Sequence, residues 1–166
     1  MTHNLNPDEP CCPVFDPEPW DRKTWEWQDK LFLKDSFREF MHIPNPKTIN
    51  KVITRMWNLA QEAQAAPDMK DFLLLAHDSS PWRGEYYLSL THEIPGANLA
   101  RLSGTHYSRV FDGPYNAVPK WIKEMKTEAA GKGMIFIDYY FYYTTCPKCA
   151  KIYGHNYVVA FGKLKV

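Results

Sequence analysis

The sequence lacks the features that mark several large classes of protein. It has no uninterrupted apolar run near the roughly 18 residues that a membrane-spanning helix needs. Its first residues, MTHNLNPDEP, have neither the basic start nor the apolar stretch of a secretory signal. We therefore expect a soluble, cytoplasmic protein that does not act at a membrane.

Charge of one sign is not in excess either. The 20 lysines and arginines are balanced by 19 aspartates and glutamates. Proteins that bind nucleic acid usually carry a basic patch that shifts this balance. The sequence therefore predicts no nucleic-acid partner, and it leaves any protein partner open.

Common catalytic motifs are missing as well. Ser79, Ser80 and Ser103 do not stand in a G-x-S-x-G turn, and there is neither a glycine-rich phosphate loop nor an H-E-x-x-H helix. Covalent catalysis by serine is therefore disfavoured, and no cofactor is expected.

Cysteine is scarce, with 4 among 166 residues, which without a secretory signal disfavours a disulfide scaffold. Two of them, Cys146 and Cys149, form a C-x-x-C pair in TTCPKCAKIYGHNY. A redox couple of the thioredoxin type needs such a pair at the start of a helix, which lowers the thiol pKa. Only a few residues separate this pair from Gly154 and the next strand, so redox chemistry is disfavoured.

A zinc site is the second hypothesis for the same cysteines. Zinc held by C-P-x-C needs a second pair of ligands to complete a tetrahedron. Cys11 and Cys12 are adjacent, so their joint binding would need awkward backbone geometry, and Cys12 with His155 is an alternative second pair. We prefer a third interpretation, in which the segment is a hairpin between the last two strands with its cysteines packed beneath the N-terminal residues. No metal is predicted.

Aromatic residues, by contrast, are abundant. They make up 15% of the chain, with 10 tyrosines, 9 phenylalanines and 6 tryptophans. This is more than a modest core needs, and tyrosine and tryptophan combine an apolar face with a polar tip. We therefore expect some of them to line a pocket for a flat or apolar small molecule.

The N-terminal residues 1–28 are rich in proline and are predicted to form an extended arm. The arm carries too many large apolar side chains for a disordered tail, so it is expected to pack on the domain formed by residues 29–166. These side chains are Val14, Phe15, Trp20, Trp25 and Trp27.

The remaining chain has the pattern of two successive β-α-β-β units, at about residues 29–95 and 99–166. In the first, a strand from Lys30 to Ile43 precedes a helix opened by Asn45 and Pro46, and DFLLLAHD and GEYYLSLTHEI form a hairpin. In the second, the strand RLSGTHYSRVF precedes the helix GPYNAVPKWIKEMKTEAAGKG and the strands MIFIDYYFYYTT and NYVVAFGKLKV. Apolar stripes predict the buried sides of the helices, at Ile49, Val52, Ile53, Met56, Leu59, Ala60 and Ala63 in the first and at Val118, Trp121, Ile122 and Met125 in the second.

The predicted fold is α+β, with the duplicated units forming one curved antiparallel sheet, two helices on one face and a ligand groove on the other. Alternation along the penultimate strand places Phe136, Asp138, Tyr140 and Tyr142 on one side and isoleucines and further aromatics on the other. Since both sides are aromatic, the face opposite the helices is either a groove or covered by the arm. We favour the groove.

The segments FLKDSFREFMHIP and RLSGTHYSRVFDGPYNAVPKWIKEM resemble the paired units of the GyrI-like small-molecule-binding family, with the turn Gly113-Pro114-Tyr115 most similar. The ends CCPVFDPEPWD and TTCPKCAKIYGHNYVV resemble a bacterial branch of that family labelled as hydrolases. The resemblance implies a central groove for apolar, often cationic or planar ligands, and in some members hydrolysis of cyclopropane-containing genotoxins. Members of the family commonly carry an acidic residue in the last strand that points into the groove, where this chain has no carboxylate.

Candidate catalytic residues are two carboxylates. Asp138 would be unusual on a buried face unless it is functional or paired with an arginine or a tyrosine hydroxyl, and Glu85 is either a second candidate or a solvated charge at a strand end. The candidate ligand-binding residues are pocket walls on the functional interpretation and core or edge packing otherwise. They are Trp82, Tyr87, His106, Tyr115, Tyr140, Tyr142 and Tyr143.

The functional hypothesis is a protein that binds an apolar or planar small molecule in an aromatic groove and hydrolyses a reactive electrophile. In such a reaction Asp138 or Glu85 would orient water. Two alternatives stay open. One is a binding module that sequesters ligands without turnover, and the other is a protein-interaction or inhibitor domain, which would show an exposed apolar patch.

Overall fold

Seven β-strands and three α-helices form within residues 8–166, the part of the chain that the computed structural model describes. The α+β class is confirmed, and none of these helices is long and apolar enough to span a membrane. In chain order the elements are β1 (Lys23–Phe40), β2 (Ile43–Pro44), α1 (Pro46–Glu62), β3 (Leu74–Ser80), β4 (Arg83–Ser89), β5 (Leu99–Asp112), α2 (Val118–Gly131), β6 (Phe136–Tyr143), α3 (Pro147–Tyr153) and β7 (Tyr157–Leu164).

The strand β1 closes the sheet into a barrel because it is long enough to pair with two other strands. Its residues Phe32–Arg38 pair with β4, and its residues from Lys23 to Leu33 pair with β5, both antiparallel. The sheet order β2-β1-β4-β3-β6-β7-β5 is thereby joined at its ends. The predicted antiparallel sheet is present, but it has an inside and an outside rather than two open faces.

The start of β1 corrects the predicted strand boundary. The strand begins at Lys23 rather than Lys30, so Trp25 and Trp27 are strand residues and not part of an irregular segment. Proline content misled the prediction, because the last proline of this region is Pro19, four positions before the strand. The division of the domain into two duplicated halves stays a prediction.

The two long helices pack on the outside of the barrel. The Asn45 side chain caps α1 by accepting a hydrogen bond from the Lys47 backbone N–H at 2.9 Å, and Pro46 follows in the first turn, as predicted. Leu59, predicted in the buried stripe, is instead exposed. The buried residues are Val52, Met56 and Ala60 in α1 and Trp121, Met125 and Ala129 in α2.

The inside of the barrel is filled with aromatic and aliphatic side chains. Two side chains that precede β1, Phe15 and Trp20, pack on this inner cluster. Trp20 is also fixed by its backbone carbonyl, which accepts a hydrogen bond from Ser108 Oγ at 2.6 Å. Over this part of the barrel, the face opposite the helices is therefore covered. The buried inner cluster consists of Phe32, Leu73, Leu75, Tyr87, Tyr140, Val159 and Phe161.

A β-bulge in β6 corrects the predicted alternation. The register between β6 and β7 shifts between Phe136 and Asp138, so Ile137 is the extra residue. Phe136 consequently packs outside the barrel against Tyr139, at 5.7 Å between ring centroids, and not inside with Asp138. Gly162 makes room for that ring, since a Cβ there would lie 2.5 Å from a Phe136 ring carbon.

Replacing Gly162 by alanine is expected to lower the free energy of unfolding by about 1–3 kcal/mol, because the added methyl overpacks the Phe136 ring. Urea denaturation measures this change. Gly131→Ala is the matched control, since no atom lies within 4 Å of its added Cβ, and it should leave stability at or slightly above wild type. Equal stability of the two variants would show that Phe136 does not pack on Gly162.

The C-x-x-C segment also differs from its predicted hairpin. It forms the short helix α3, which begins at Pro147 directly after Cys146 and ends at Gly154, whose φ is +72°. A glycine tolerates that left-handed conformation without strain and ends the helix. The seven residues from Pro147 to Tyr153 suffice for about two turns.

Candidate functional site

A histidine missed by the sequence analysis joins the two candidate carboxylates. His77 in β3 lies directly opposite Glu85 in β4, and its Nδ1 is 3.1 Å from Glu85 Oε2. Its Nε2 is 2.9 Å from Asp138 Oδ1 and 3.1 Å from Asp138 Oδ2 on the neighbouring strand β6. Three adjacent strands thus place a carboxylate, an imidazole and a carboxylate side by side on the inner face of the barrel. We refer to these three residues as the Glu85–His77–Asp138 row.

Side chains around the row hold Glu85 and His77 in place. The Tyr87 hydroxyl donates a hydrogen bond to Glu85 Oε2 at 2.8 Å, and Lys34 Nζ lies 3.3 Å from Glu85 Oε1. The Tyr140 ring stacks on the imidazole, with 4.8 Å between centroids and 24° between planes. Glu85 therefore has a partner for each oxygen, and His77 has one for each nitrogen.

The charges in the row stabilise one another. Burial alone would lower the pKa of His77, but hydrogen bonds and charges from Asp138 and Glu85 raise it above 6.5. Burial alone would raise the pKa of each carboxyl, but hydrogen bonds outweigh burial and hold both pKa values below their usual range. The imidazolium form between two carboxylates therefore persists to a higher pH than in an isolated histidine.

Solvent reaches one end of the row. The exposed fraction of the side chain is 9% for Glu85, 16% for His77 and 40% for Asp138. Asp138 is further held by the backbone N–H of Tyr139, which donates to Oδ1 at 2.9 Å. Asp138 is therefore the member that can meet water or a dissolved molecule, while Glu85 anchors the row from within.

His106, a candidate ligand-binding residue, lies deeper inside the barrel. It is 1% exposed, and its ring lies 4.2 Å from that of Trp27 and 6.2 Å from that of Tyr140. Its Nδ1 donates to the carbonyl of Gly104 at 3.1 Å, and burial lowers its pKa. The buried Nε2 is thus an acceptor, and it has no hydrogen-bond partner among residues 8–166.

A cavity of about 130 Å³ lies beside the inner tryptophans. This is smaller than the roughly 300–1,000 Å³ of usual small-molecule sites. A drug-sized ligand would need the covering side chains to move. The lining residues are Trp20, Trp25, Trp27, Lys30, Lys70, Asp71, Phe72, Leu73 and Phe161.

The structure sorts the predicted ligand-binding residues into two groups. Tyr87, Tyr140 and Tyr142 lie on the inner side of the barrel, as His106 does. The other three lie elsewhere, since Trp82 stands in a turn, Tyr115 begins a short 3-10 helix, and Tyr143 lies on the outer side of β6. Trp82 stands in the β3–β4 turn, is 55% exposed and packs on Phe40, and Tyr115 packs on Tyr143 outside the barrel.

His77 had a usable signal in the sequence. Alternation from Leu75 places His77 on the same side of β3, and the short turn after Ser80 sets the register of the hairpin. That register alone predicts that His77 lies opposite Glu85. The neighbouring position of Asp138 could not be read in this way, since it depends on pairing between strands far apart in the chain.

A second acidic group lies near the β3–β4 turn, where Glu39 of β1 carries a buried Oε1 without a hydrogen-bond partner in the described chain. Burial, followed by the charge of Asp78, raises the pKa of Glu39 from 4.5 to about 7. His42 Nδ1 lies 3.1 Å from Asp78 Oδ2. Glu39 therefore stays largely protonated between about pH 4.5 and 7, where an exposed glutamate is charged.

Replacing Glu39 by glutamine is expected to stabilise the protein by up to about 3 kcal/mol at pH 8 and to change little at pH 4. The unfolded chain releases the Glu39 proton near pH 4.5 and the folded chain only near 7, so wild-type stability is lost as the pH rises through that interval. Urea denaturation at several pH values measures the difference. Glu124→Gln, at an exposed helix position, is the control and should show no such dependence.

Comparison with models of protein families identifies the family of this chain. The model of the Bacterial hydrolase family matches residues 2–164. The chain belongs to this family. The predicted resemblance to a bacterial branch labelled as hydrolases is thereby confirmed. Comparison with curated proteins returns no match.

Solved structures share the fold of this Bacterial hydrolase family member. The C-terminal domain of EcmrR has a TM-score of 0.66 at 10% identity, over 87% of this chain and 97% of that one. An uncharacterized conserved protein from Listeria innocua has 0.65 at 9%, over 88% and 93%. A hydrolase from Listeria innocua has 0.59 at 10%, over 88% and 92%. At such identities the likeness shows the fold alone.

Proposed function

We propose that this protein hydrolyses a small, reactive electrophile at the solvent end of the Glu85–His77–Asp138 row. The observation that supports the proposal is the row itself. An ionised Asp138 is held by His77 at 2.9 Å at the edge of an aromatic interior. Stability alone rarely requires three titratable side chains in contact on the inside of a barrel, and such groups are more frequent at functional sites.

In the proposed reaction Asp138 orients a water molecule and takes its proton as the water oxygen bonds to the electrophilic carbon. The bond from that carbon to the leaving atom breaks, and the leaving atom takes a proton from solvent. His77 is a positioning residue that fixes and ionises Asp138, and Glu85 fixes His77. Because the pKa of Asp138 is lowered, it is a weak base. The row therefore suits a reactive substrate, for which orientation of water matters more than basicity.

The aromatic surroundings favour a flat or apolar substrate. Tyr140 and Tyr87 border His77, with ring centroids at 4.8 and 6.2 Å. An activated cyclopropane of the kind handled by GyrI-like relatives is apolar, as these surroundings favour, and its ring strain makes it reactive, as a weak base requires. Its entry to the interior would displace the side chains that now cover it.

The test incubates the protein with activated cyclopropanes and other planar apolar compounds and follows each compound by mass spectrometry. A product heavier by one water, formed in repeated turnovers, is expected. Asp138→Asn should lower turnover by about 100-fold or more, which is the usual contribution of a positioned acid or base. Asp78→Asn is the matched control, because Asp78 lies next to His77 in β3 and outside the row. Turnover that survives in Asp138→Asn contradicts the proposed role.

A second candidate function is binding without turnover. The row carries two carboxylates and one imidazolium, and aromatic rings surround it, which is an arrangement suited to a planar cation. Compounds retained on the protein but returned unchanged would support this function. In that case Asp138→Asn should weaken binding of cationic compounds more than of neutral ones of the same shape.

A further inference from the structure

The four cysteines, which the proposed hydrolysis does not use, converge at one place. Cys11 Sγ lies 3.6 Å from Cys146 Sγ and 3.6 Å from Cys149 Sγ. All four sulfur atoms, including that of Cys12, lie within 4.8 Å of one another. The adjacency of Cys11 and Cys12 is therefore no obstacle to a common site, contrary to the expectation from sequence.

We propose that Cys11, Cys12, Cys146 and Cys149 bind one structural zinc ion. Tetrahedral zinc with Zn–S bonds of about 2.3 Å holds its sulfur ligands roughly 3.8 Å apart, close to the two distances of 3.6 Å. Both distances far exceed the roughly 2.05 Å of a disulfide. Four sulfur donors also leave no open coordination position, which is the mark of a structural and not a catalytic zinc.

Backbone hydrogen bonds support the sulfur cluster. The N–H groups of Cys11 and Cys12 each donate to Cys149 Sγ at 3.3 Å, and the N–H of Cys146 donates to Cys12 Sγ at 3.5 Å. Such donors stabilise thiolates and orient them toward a metal, as groups around metal ligands commonly do. The Tyr153 hydroxyl donates to the Cys12 carbonyl and fixes the backbone between the cysteines and α3.

The ligands come from two segments that are far apart in the chain. Cys146 stands directly before α3 and Cys149 lies in its first turn, while Cys11 and Cys12 lie in the irregular segment before β1. That segment continues to Phe15 and Trp20, which cover the barrel interior. Zinc would therefore fasten the cover of the interior to the rest of the domain, whether or not the protein is a hydrolase.

The first test uses elemental mass spectrometry to measure the metal content of the full chain. The protein is purified under reducing conditions and without a chelator. About one zinc per chain is expected, with little iron. Cobalt added to the metal-free protein should give the absorption bands of tetrahedral thiolate coordination. Equimolar iron, or a disulfide between any two of the cysteines in the reduced preparation, would overturn the proposal. So would a lack of zinc binding by the reduced protein when zinc is supplied.

The second test uses ligand variants. Cys149→Ser should weaken zinc binding by more than about 100-fold, since loss of a mere hydrogen-bond partner of a metal ligand costs about 10–100-fold. His155→Ala is the control, because His155 lies near the cysteines in sequence but bonds Asp112 at 2.8 Å. It should keep its zinc, and loss of zinc in this variant would refute the four-cysteine ligand set.

The third test asks whether zinc fastens the cover and applies even if the cysteine variants fail to fold. Removal of zinc from the wild-type chain by a chelator should speed trypsin cleavage after Arg22, which is exposed at the end of the covering segment. Readdition of zinc should slow the cleavage again. An unchanged cleavage rate would show that zinc does not hold the segment.

Discussion

His77→Leu should lower the free energy of unfolding by about 3 kcal/mol near pH 6, because it leaves two carboxylates facing each other without the cation between them. Glu85 would be affected most, since its side chain is only 9% exposed and, within residues 8–166, Lys34 would be its remaining cationic partner within 4 Å. Urea denaturation followed by tryptophan fluorescence measures the loss. A double variant, His77→Leu with Glu85→Gln, should regain part of it, since one of the two opposed charges is gone.

The pH dependence of this loss has a definite sign. The folded pKa of His77 is raised, so its contribution is complete below 6.5 and is lost as the pH rises through the folded value. The folded pKa values of Glu85 and Asp138 are lowered, so their contributions are complete above 4.5 and are lost as the pH falls through the folded values. The destabilisation by His77→Leu should therefore be largest between about pH 4.5 and 6.5 and smaller on either side.

His42→Leu is the matched control for this prediction. His42 also lies 3.1 Å from a carboxylate, that of Asp78, but both side chains are 52% exposed. Exposed pairs of this kind contribute about 0–1 kcal/mol. If His77→Leu were no more destabilising than His42→Leu, the Glu85–His77–Asp138 row would not be held by its charges.

Local patterns in the sequence predicted the elements well. Asn45 followed by Pro46 fixed the start of α1, and the apolar stripe through Trp121 and Met125 fixed the buried side of α2. These signals depend on residues a few positions apart, so a single sequence contains them in full. Asp138 and Glu85 are likewise marked by their immediate neighbours, since Asp138 stands within FIDYYFYY and Glu85 stands beside Tyr86 and Tyr87 at the start of a strand.

Features that depend on distant pairing were missed. Closure of the barrel requires β1 to pair with β5, and the cysteine cluster requires Cys12 to meet Cys146, which no local pattern encodes. The bulge at Ile137 reversed the side on which Phe136 packs, because a single extra residue shifts every earlier position of the strand. His77 lies between these cases, since the hairpin that places it opposite Glu85 is encoded locally, whereas the pairing of β3 with β6 that brings it to Asp138 is not.

Phe161→Ala is expected to lower the free energy of unfolding by about 3–5 kcal/mol, because it removes a fully buried ring from the centre of the inner cluster. The centroid of the Phe161 ring lies 6.4 Å from that of Trp20, 6.0 Å from that of Trp25 and 5.4 Å from that of Trp27. Loss of the ring would enlarge the cavity of about 130 Å³ that it lines. Met69→Ala, at a residue that is 65% exposed, should change stability by less than about 0.5 kcal/mol.

The space left by the Phe161 ring lies within the apolar inner cluster and gives a second measurement, since apolar cavities in proteins bind small apolar molecules. Benzene should raise the melting temperature of Phe161→Ala more than that of the wild type. A loss below about 1 kcal/mol without benzene would mean that the interior is not closely packed around Phe161. The cover formed by Phe15 and Trp20 would then not be closed over the barrel interior in solution. A large loss that benzene partly reverses would mean that the interior around Phe161 is closely packed, so that a ligand could enter this part of the barrel only by displacing Phe15 and Trp20.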